Sequence, residues 1–344
     1  MDAPAVQYVT TSDGYNIAYT VSGEGRPLVC TPLGMFNHVQ LNWRRPWTMQ
    51  SWLQGLSERF RLIHYDSRGM GLSTRGLPES FSWGDFYSDL EAVVDGARLD
   101  RFVLLGCFVF SPAAVRYAVE HAERVDALVL FLATRSMTPW SRGIWDVLAH
   151  DNWELFLRTW LPVGLSPAEA DSHLAMLRQS ITQRDYLLAA RAAGDWDISG
   201  LLSQVRQPTL VLHPRDQVYL SEEEAVALAA AIPDSRLVLI DGGVSIFGDG
   251  AAGARAVEEF LASLPPHEER PSPPAAAGAP PDGLSAREVE VLRLIAAGRS
   301  SQQIADELVI SIFTVNHHVS SIYNKTGASN RAEATSYAHR HSLV

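Results

Sequence analysis

Six short, nearly continuous apolar runs recur along the N-terminal part of the chain, with helix-like stretches between most of them. They are PLVCT (27–31), FRLIHYD (60–66), RFVLLGC (101–107), VDALVLF (125–131), PTLVLHPRD (208–216) and SRLVLID (235–241). Continuous rather than alternating runs suit strands that are covered on both faces, as in a parallel sheet with crossover helices. The sequence therefore predicts an α/β domain built on a mostly parallel sheet.

Two segments depart from this rhythm. Residues 6–25, VQYVTTSDGYNIAYTVSGEG, alternate around Asp13-Gly14 and predict an antiparallel hairpin at the sheet edge. From about residue 134 to 200 the pattern is helical and interrupts the strand series, which predicts a cap over the sheet. This cap segment carries Trp140, Trp145, Trp153, Trp160 and Trp196.

A Pro/Ala-rich stretch, PPHEERPSPPAAAGAPPDG (265–283), has no apolar periodicity and predicts an exposed linker. We therefore expect a first domain over 1–264 and a second over 284–344. The net charge of −11 argues against a chain that coats nucleic acid over its whole surface. It does not exclude a small DNA-binding module, because residues 284–344 hold six basic and five acidic side chains.

The location of the protein is predicted from its few cysteines and from the absence of membrane-spanning and targeting segments. It has two cysteines, no apolar run long enough to cross a bilayer, and no basic or apolar segment at its start. We expect a cytoplasmic protein with no membrane contact, no metal and no cofactor.

The first domain resembles the α/β-hydrolase fold over about residues 5–264. The resemblance rests on ordered motifs: the DGYNIAY hairpin, YDSRGMGLS (65–73) after a strand, the turn at Gly106, HPRD (213–216) and IDGGVS (240–245). In that family the turn reads G-x-S-x-G, with the serine on a strained elbow, and an acid and a histidine follow in that order.

The resemblance implies that the catalytic residues have been replaced. Phe108 stands at the serine position and Phe110 at the second glycine, Asp216 at the acid, and Val244 at the histidine. A phenyl ring cannot attack a carbonyl, and valine cannot accept a proton. We therefore predict a hydrolase fold without hydrolase activity. Because Phe110 is bulky, we also predict that the elbow is relaxed, with a negative φ at Phe108.

An apolar cleft that cannot cleave its contents suits the binding of a small, partly apolar effector. The predicted pocket residues are Leu33, His38, Phe108, Val109, Trp140, Trp145, Asp216 and Val244. Other roles remain open, since Asp216 could be a turn residue and the cap tryptophans could be core. Two neighbours of the elbow, Cys107 and Ser111, are the alternative nucleophiles, although Ser111 is expected to cap the next helix.

Capping residues divide the C-terminal part into four short helices. Ser285, Ser300, Ser311 and Asn330 are expected to open them, and Gly298 and Gly327 to close the first and third. A tight VIS turn (309–311) joins the second and third helices, as in a helix-turn-helix. On the third, Val315, Val319 and Ile322 share one face and should pack inward.

This segment, LSAREVEVLRLIAAGRSSQQIADELVISIFTVNHHVSSIYNKTGASNRAEATSYA, resembles the LuxR-type DNA-binding domain over its full length. The resemblance implies transcription regulation by a homodimer on a two-fold symmetric site in double-stranded DNA. The predicted DNA contacts are Arg299, Ser301, Thr314, Asn316, His317, Ser320, Lys325 and Arg331, with Phe313 undecided. The family usually has a lysine where this chain has Asn316, so we expect modest, salt-dependent binding by the monomer.

Three hypotheses follow from the sequence. The first is a ligand-responsive transcription regulator with an inactive hydrolase domain. The second is an esterase-like enzyme with a displaced nucleophile, and the third is a protein-docking scaffold, each carrying a DNA-binding tail.

Overall fold

The computed structural model of the protein describes residues 3–44, 49–136, 144–161, 166–194, 196–215, 220–241, 249–265, 284, 286–308, 312–341 and 343–344. Within helices, the side chains of 144–146, 286–287, 312–314, 317, 320, 321 and 324 are not described. The chain divides into two compact units, Met1–Pro265 and Pro266–Val344. Each unit is described by itself.

The first unit is built on an eight-stranded sheet with the order β1-β2-β4-β3-β5-β6-β7-β8. Its strands are β1 (Val6–Thr10), β2 (Asn16–Ser22), β3 (Pro27–Cys30), β4 (Arg61–Tyr65), β5 (Phe102–Cys107), β6 (Val125–Phe131), β7 (Thr209–Pro214) and β8 (Ser235–Ile240). Strands β1, β2 and β4 pair antiparallel, and every other pair is parallel. The predicted mostly parallel sheet is confirmed.

The burial of the strands follows the apolar runs. All six residues of β5 are buried, as are six of the seven in β6, because helices cover both faces of the sheet centre. The predicted edge hairpin is also confirmed: β1 and β2 are joined by a turn in which Gly14 has φ +92°. Glycine adopts this left-handed backbone without the steric cost of a Cβ.

Among the described residues, five helices pack on the sheet and five form the predicted helical insertion between β6 and β7. Those of the body are α1 (Gln50–Ser57), α2 (Trp83–Gly96), α3 (Ser111–Glu120), α9 (Glu222–Ala230) and α10 (Gly250–Ala262). Those of the cap are α4 (Ile144–Asp151), α5 (Trp153–Arg158), α6 (Pro167–Ser180), α7 (Gln183–Ala193) and α8 (Ser199–Leu202).

Hydrogen bonds close the stem of the cap and hold its far corner against the body. At its stem, Ser136 bridges to Asp197, and the Ile198 amide donates to the Arg135 carbonyl at 3.0 Å. At its far corner, the Gly71 amide donates to the Ser180 carbonyl at 2.7 Å. These contacts fix the α6–α7 part of the cap against the loop that follows β4.

A buried ion pair orders the same loop. The Arg68 Nε atom lies 2.7 Å from Asp89 Oδ1 on α2, and the backbone amide of Arg68 donates to the other carboxylate oxygen at 2.9 Å. Arg68 also pairs with Asp13 and Asp85. Because a buried charge needs partners, this network holds the loop after β4 against α2 and the edge hairpin.

The described residues of the second unit form four helices, as predicted: α11 (Ala286–Ala296), α12 (Ser301–Leu308), α13 (Ile312–Thr326) and α14 (Arg331–Arg340). Val291, Leu292 and Ile295 of α11 pack with Ile304, Val315, Ile322 and Ala334 in one core. The predicted inward positions Val315 and Ile322 are fully buried, and Val319 packs against the core while half-buried.

The predicted helix ends are present where the structure describes them. Ser300 and Gln303 exchange hydrogen bonds of 2.9 and 3.2 Å at the start of α12, and Asn330 accepts from the Glu333 amide at the start of α14. Gly298 and Gly327 have φ of +78° and +71° after their helices. The predicted caps Ser285 and Ser311 and the VIS turn lie outside the described residues.

Candidate functional site

The turn between β5 and α3 keeps the geometry of a nucleophile elbow. Strand β5 ends at Cys107, residues Phe108–Phe110 form one turn of 3-10 helix, and Phe108 has φ +47°. Our prediction of a relaxed elbow is wrong. A Cβ on Gly106 would lie 2.6 Å from the Ala114 Cβ, so the strand and α3 approach closely enough to impose a sharp turn.

The physical reason for the error lies in the placement of Phe110. Its φ is −97°, and its fully buried ring packs edge-on against Phe86 of α2, with the centroids 4.9 Å apart. The bulk at the former glycine position is therefore accommodated between α2 and α3. It does not force the backbone at Phe108 out of the left-handed region.

The two alternative nucleophiles are engaged in other contacts. The Cys107 thiol donates to the Leu33 carbonyl at 3.4 Å, and burial, followed by the nearby Cys30, raises its pKa well above the usual range. A thiol in such surroundings stays protonated and unreactive. The buried Ser111 hydroxyl donates to the Phe108 carbonyl at 2.6 Å. Ser111 is the first residue of α3 rather than its cap, because the cap position belongs to Phe110.

The loop after β3 is fixed by hydrogen bonds to one of its own side chains. In hydrolases of this fold an amide of this loop and the amide of the residue after the nucleophile, here Val109, bind the oxyanion. Here the Leu33 amide donates to the Asn37 side-chain carbonyl at 3.1 Å. Asn37 is itself fixed, since its Nδ2 atom donates to the Tyr65 carbonyl at 2.9 Å and to Asp66 Oδ1 at 2.7 Å.

Asp66 is the centre of a buried polar network beneath this loop. Its carboxylate accepts from the amides of Val39 and Leu72 as well as from Asn37. Burial raises its pKa to about 6 against the lowering effect of these donors. A Cβ on Gly71, which has φ +47°, would lie 1.9 Å from Asp66 Oδ2, so only glycine leaves room for the carboxylate. The network fixes the loops that follow β3 and β4.

Three histidines near the strand ends make structural contacts. His38 Nδ1 lies 3.3 and 3.2 Å from the amides of Gln40 and Leu41, and His213 Nε2 lies 3.1 Å from the Leu220 carbonyl. Burial lowers the pKa of His213, and it lowers the pKa of His64 to about 4. Burial therefore favours the neutral form of the His213 and His64 rings.

The structure describes half of the predicted pocket. Leu33 and Val109 are buried, as are His38 and Phe108, with Phe108 8% exposed. Trp140, Asp216 and Val244, together with the side chain of Trp145, lie outside the described residues. The replacement of the catalytic histidine by Val244 therefore remains a prediction from the sequence.

An aromatic cluster joins the cap to the loop after β3, and the sequence did not reveal it. The Phe36 ring is stacked on Tyr186 of α7 at 5.6 Å and lies 5.5 Å from Trp160 and 6.2 Å from Trp153. Phe156 of α5 completes the cluster, 4.9 Å from Tyr186. Trp153 and Trp160 had been noted as cap residues, but no sequence pattern links Phe36 to them.

Among the predicted DNA contacts in the first three turns of α13, the structure describes the side chain of one residue. Asn316 is exposed, whereas the side chains of Phe313, Thr314, His317 and Ser320 lie outside the described residues. His318 is buried, at 7% exposure, on the inner side of the helix.

The basic residues predicted to contact DNA have partners within the second unit. Lys325 Nζ lies 2.7 Å from Glu288 Oε2, and Arg299 Nε lies 3.4 Å from Glu307 Oε2. The Arg331 guanidinium donates to the Arg299 carbonyl. Ser301, the first residue of α12, is half-buried. The described part of this unit therefore presents less unpaired positive charge than its sequence suggests.

Comparison with known families assigns both units. Residues 34–165 match the family described as "alpha/beta hydrolase fold", and residues 282–338 match "Bacterial regulatory proteins, luxR family". The protein therefore combines an α/β-hydrolase-fold domain with a C-terminal LuxR-type DNA-binding domain. This confirms the two resemblances drawn from the sequence.

Individual relatives resemble one unit or the other. RutD of Rhizobium rhizogenes, which is named for carbamate hydrolysis, is 26% identical over 221 residues, covering 60% of this chain and 82% of RutD. The transcriptional regulatory protein LiaR of Bacillus subtilis is 45% identical over 65 residues, which are 19% of this chain and 31% of LiaR.

Solved structures share the hydrolase fold. A hydrolase from Pseudomonas aeruginosa superimposes with a TM-score of 0.62 at 22% identity, covering 76% of this chain and 99% of its own. The enol-lactonase of Burkholderia xenovorans gives 0.61 at 19% identity, covering 74% and 100%. At these identities the likeness establishes the fold alone.

Two features are absent from the part of the chain that the structure describes. The described residues contain no cluster of three His, Cys, Asp or Glu side chains arranged to hold a metal ion. None of their helices is both long and apolar enough to cross a bilayer.

Proposed function

We propose that this protein is a cytoplasmic, ligand-responsive transcription regulator. Its α/β-hydrolase domain binds a small, partly apolar molecule without hydrolysing it, and binding controls how the LuxR-type domain engages DNA. The observation that carries the proposal is Phe108, which occupies the nucleophile position on an elbow that keeps its positive φ. A chain that joins such a site to a DNA-binding domain has the parts of a sensor.

Three observations support the absence of hydrolysis. Phe108 supplies no nucleophile, and the nearby thiol of Cys107 is held protonated by burial. The hydroxyl of Ser111 is bonded to the Phe108 carbonyl. The chemistry therefore lacks its nucleophile.

The apolar character of the ligand is inferred from the residues around the elbow. Leu33, Phe108 and Val109 present hydrocarbon there, and the Phe36 aromatic cluster connects this loop to the cap. Occupancy that moved Phe36 would shift α5 and α7, because the ring packs on both. A ligand changes an equilibrium only by binding one arrangement more tightly than the other.

Hydrolysis is tested with chromogenic acyl esters of short and medium chain length. We expect the wild-type rate to equal that of the Cys107→Ala and Ser111→Ala variants, with all three at the uncatalysed baseline. Turnover by the wild type that is lost in either variant would establish the displaced-nucleophile enzyme instead.

Regulation is tested by selecting genomic DNA fragments on the immobilised full-length protein, beside a chain that ends at Leu264. We expect the full-length protein alone to enrich a two-fold symmetric site, as a homodimer would. Compounds suggested by the neighbouring genes are then screened for a rise in melting temperature and for altered affinity at that site. A melting temperature that no such compound raises would favour the docking scaffold.

A further inference from the structure

We propose that Lys325 is a positioning residue for the DNA-reading helix α13, acting through its ion pair with Glu288, and that it does not neutralise a DNA phosphate. This inference rests on the DNA-binding part of the proposed function. It reassigns a residue that the sequence placed among the DNA contacts. It also makes Glu288, an acidic and buried residue, a determinant of DNA recognition.

The pair joins the start of α11 to the end of α13. Glu288 lies in the first turn of α11, and Lys325 is the next-to-last residue of α13. Their charged atoms are 2.7 Å apart, with the Glu288 side chain 4% exposed and that of Lys325 33% exposed. A carboxylate in the first turn of a helix is also favoured by the helix dipole. The geometry is that of an internal tether.

The position of Lys325 around α13 supports the same conclusion. With 3.6 residues per turn, Lys325 lies about 180° from Asn316 and within about 20° of His318. Asn316 is exposed, whereas His318 is buried and Ile322, on the same side, is fully buried. If the Asn316 face enters the major groove, Lys325 faces the body of its own domain.

Electrostatics argues against a double role. Binding a phosphate would draw Lys325 away from a carboxylate that is almost fully removed from water, and leaving that charge without its cation is costly. The intact pair carries no net charge, so it releases no counterions from DNA. What it supplies is a fixed orientation of α13 relative to α11, in addition to the packing of Val315 and Ile322.

The test compares Lys325→Ala and Glu288→Gln in the full-length protein. Affinity is measured against a mixed-sequence duplex and against the site recovered by fragment selection, over a series of salt concentrations. We expect both variants to lower the ratio of specific to non-specific affinity by about tenfold, the effect of losing one good base contact. We expect the salt dependence on the mixed duplex to be unchanged, and the double variant to be no worse than either single one.

The sign of the Glu288→Gln effect discriminates between the two roles. A phosphate-binding Lys325 would be freed by this change, so affinity for both duplexes would rise, and Lys325→Ala would reduce the logarithmic salt slope by about 0.9. That result would overturn the proposal. Glu290→Gln is the matched control, because it removes an equal charge from an exposed position on α11, and it should leave the specificity ratio unchanged.

Two further outcomes of this test are an unfolded variant and a wild type that does not bind DNA. A variant that merely unfolds the domain would lower the fraction of active protein while leaving both the ratio and the salt slope intact, which would refute a positioning role. Lys325→Arg, which keeps the charge, should retain the ratio of specific to non-specific affinity.

If the wild type binds no DNA even at low salt, the DNA-binding proposal fails by itself. Hydrogen exchange at the start of α11 and the end of α13 then tests the tether, and unchanged exchange in Glu288→Gln would overturn it.

Discussion

Substitutions at Phe108 test whether the elbow keeps its left-handed backbone. The comparison is between Phe108→Gly and Phe108→Ala, since both remove the ring and leave nearly the same cavity. At φ +47° a residue with a Cβ costs about 1–2 kcal/mol that glycine avoids. Against this, alanine gains about 0.4–1 kcal/mol over glycine by restricting the unfolded chain. The balance predicts that the glycine variant is the more stable by about 0.5–1 kcal/mol.

Phe110 provides the matched control. It lies two residues further on, is fully buried and has φ −97°, so alanine carries no backbone penalty there. We expect the usual order at this position, with Phe110→Ala more stable than Phe110→Gly by about 0.4–1 kcal/mol. The order of stability should therefore reverse between the two positions.

Equilibrium urea unfolding followed by tryptophan fluorescence measures these differences in the full-length chain. All nine tryptophans lie between Trp43 and Trp196, so the signal reports on the first unit alone. If Phe108→Ala proves more stable than Phe108→Gly by the margin found at Phe110, the left-handed elbow is refuted. The argument for a preserved site would then be lost.

Three further predictions use the same assay. Gly106→Ala should destabilise the first unit by about 2 kcal/mol, because the new methyl group would overlap Ala114, and Ala114→Gly should restore part of the loss. Asp89→Ala should cost about 3 kcal/mol, since Arg68 would keep a buried charge with its main partner removed; a loss below about 1 kcal/mol would contradict a buried pair. His64 has a folded pKa of about 4, below the unfolded value of about 6.5, so the stability that it contributes is present above pH 6.5 and is lost as the pH falls towards 4. The stability of wild type relative to His64→Gln should decrease by about 1.4 kcal/mol per pH unit in that window, and a constant difference would show that His64 is not buried in neutral form.

Much of the fold could be predicted because its signals are local. The continuous apolar runs become the buried strands, with β5 and β6 at the centre of the sheet. Asp13-Gly14 marks the edge hairpin, and the Ser300–Gln303 pair marks the start of α12. In each case the residues that determine the structure are neighbours in sequence, so a pattern of a few residues is sufficient.

The details of the site were not predictable for the opposite reason. The positive φ at Phe108 depends on the close approach of Gly106 and Ala114, and the amino-acid types at positions 108–110 do not indicate it. The contact between Asn37 and the Leu33 amide depends on how the loop closes over β4. Lys325 and Glu288 are 37 residues apart, and their pairing becomes visible once α11 and α13 are packed.

The retained elbow separates two of the three hypotheses on energetic grounds. A non-glycine residue at positive φ costs about 1–2 kcal/mol, which is a substantial share of the stability of an ordinary domain. The close approach of Gly106 and Ala114 imposes this strain, and a hydrolase domain reduced to a docking scaffold has no need of that close approach between β5 and α3. The strain instead holds Phe108 at the point where a nucleophile would meet its substrate. On our proposal that hydrolysis has been lost, strain that persists favours a site whose shape is still used, and binding without turnover is the use that Phe108 allows.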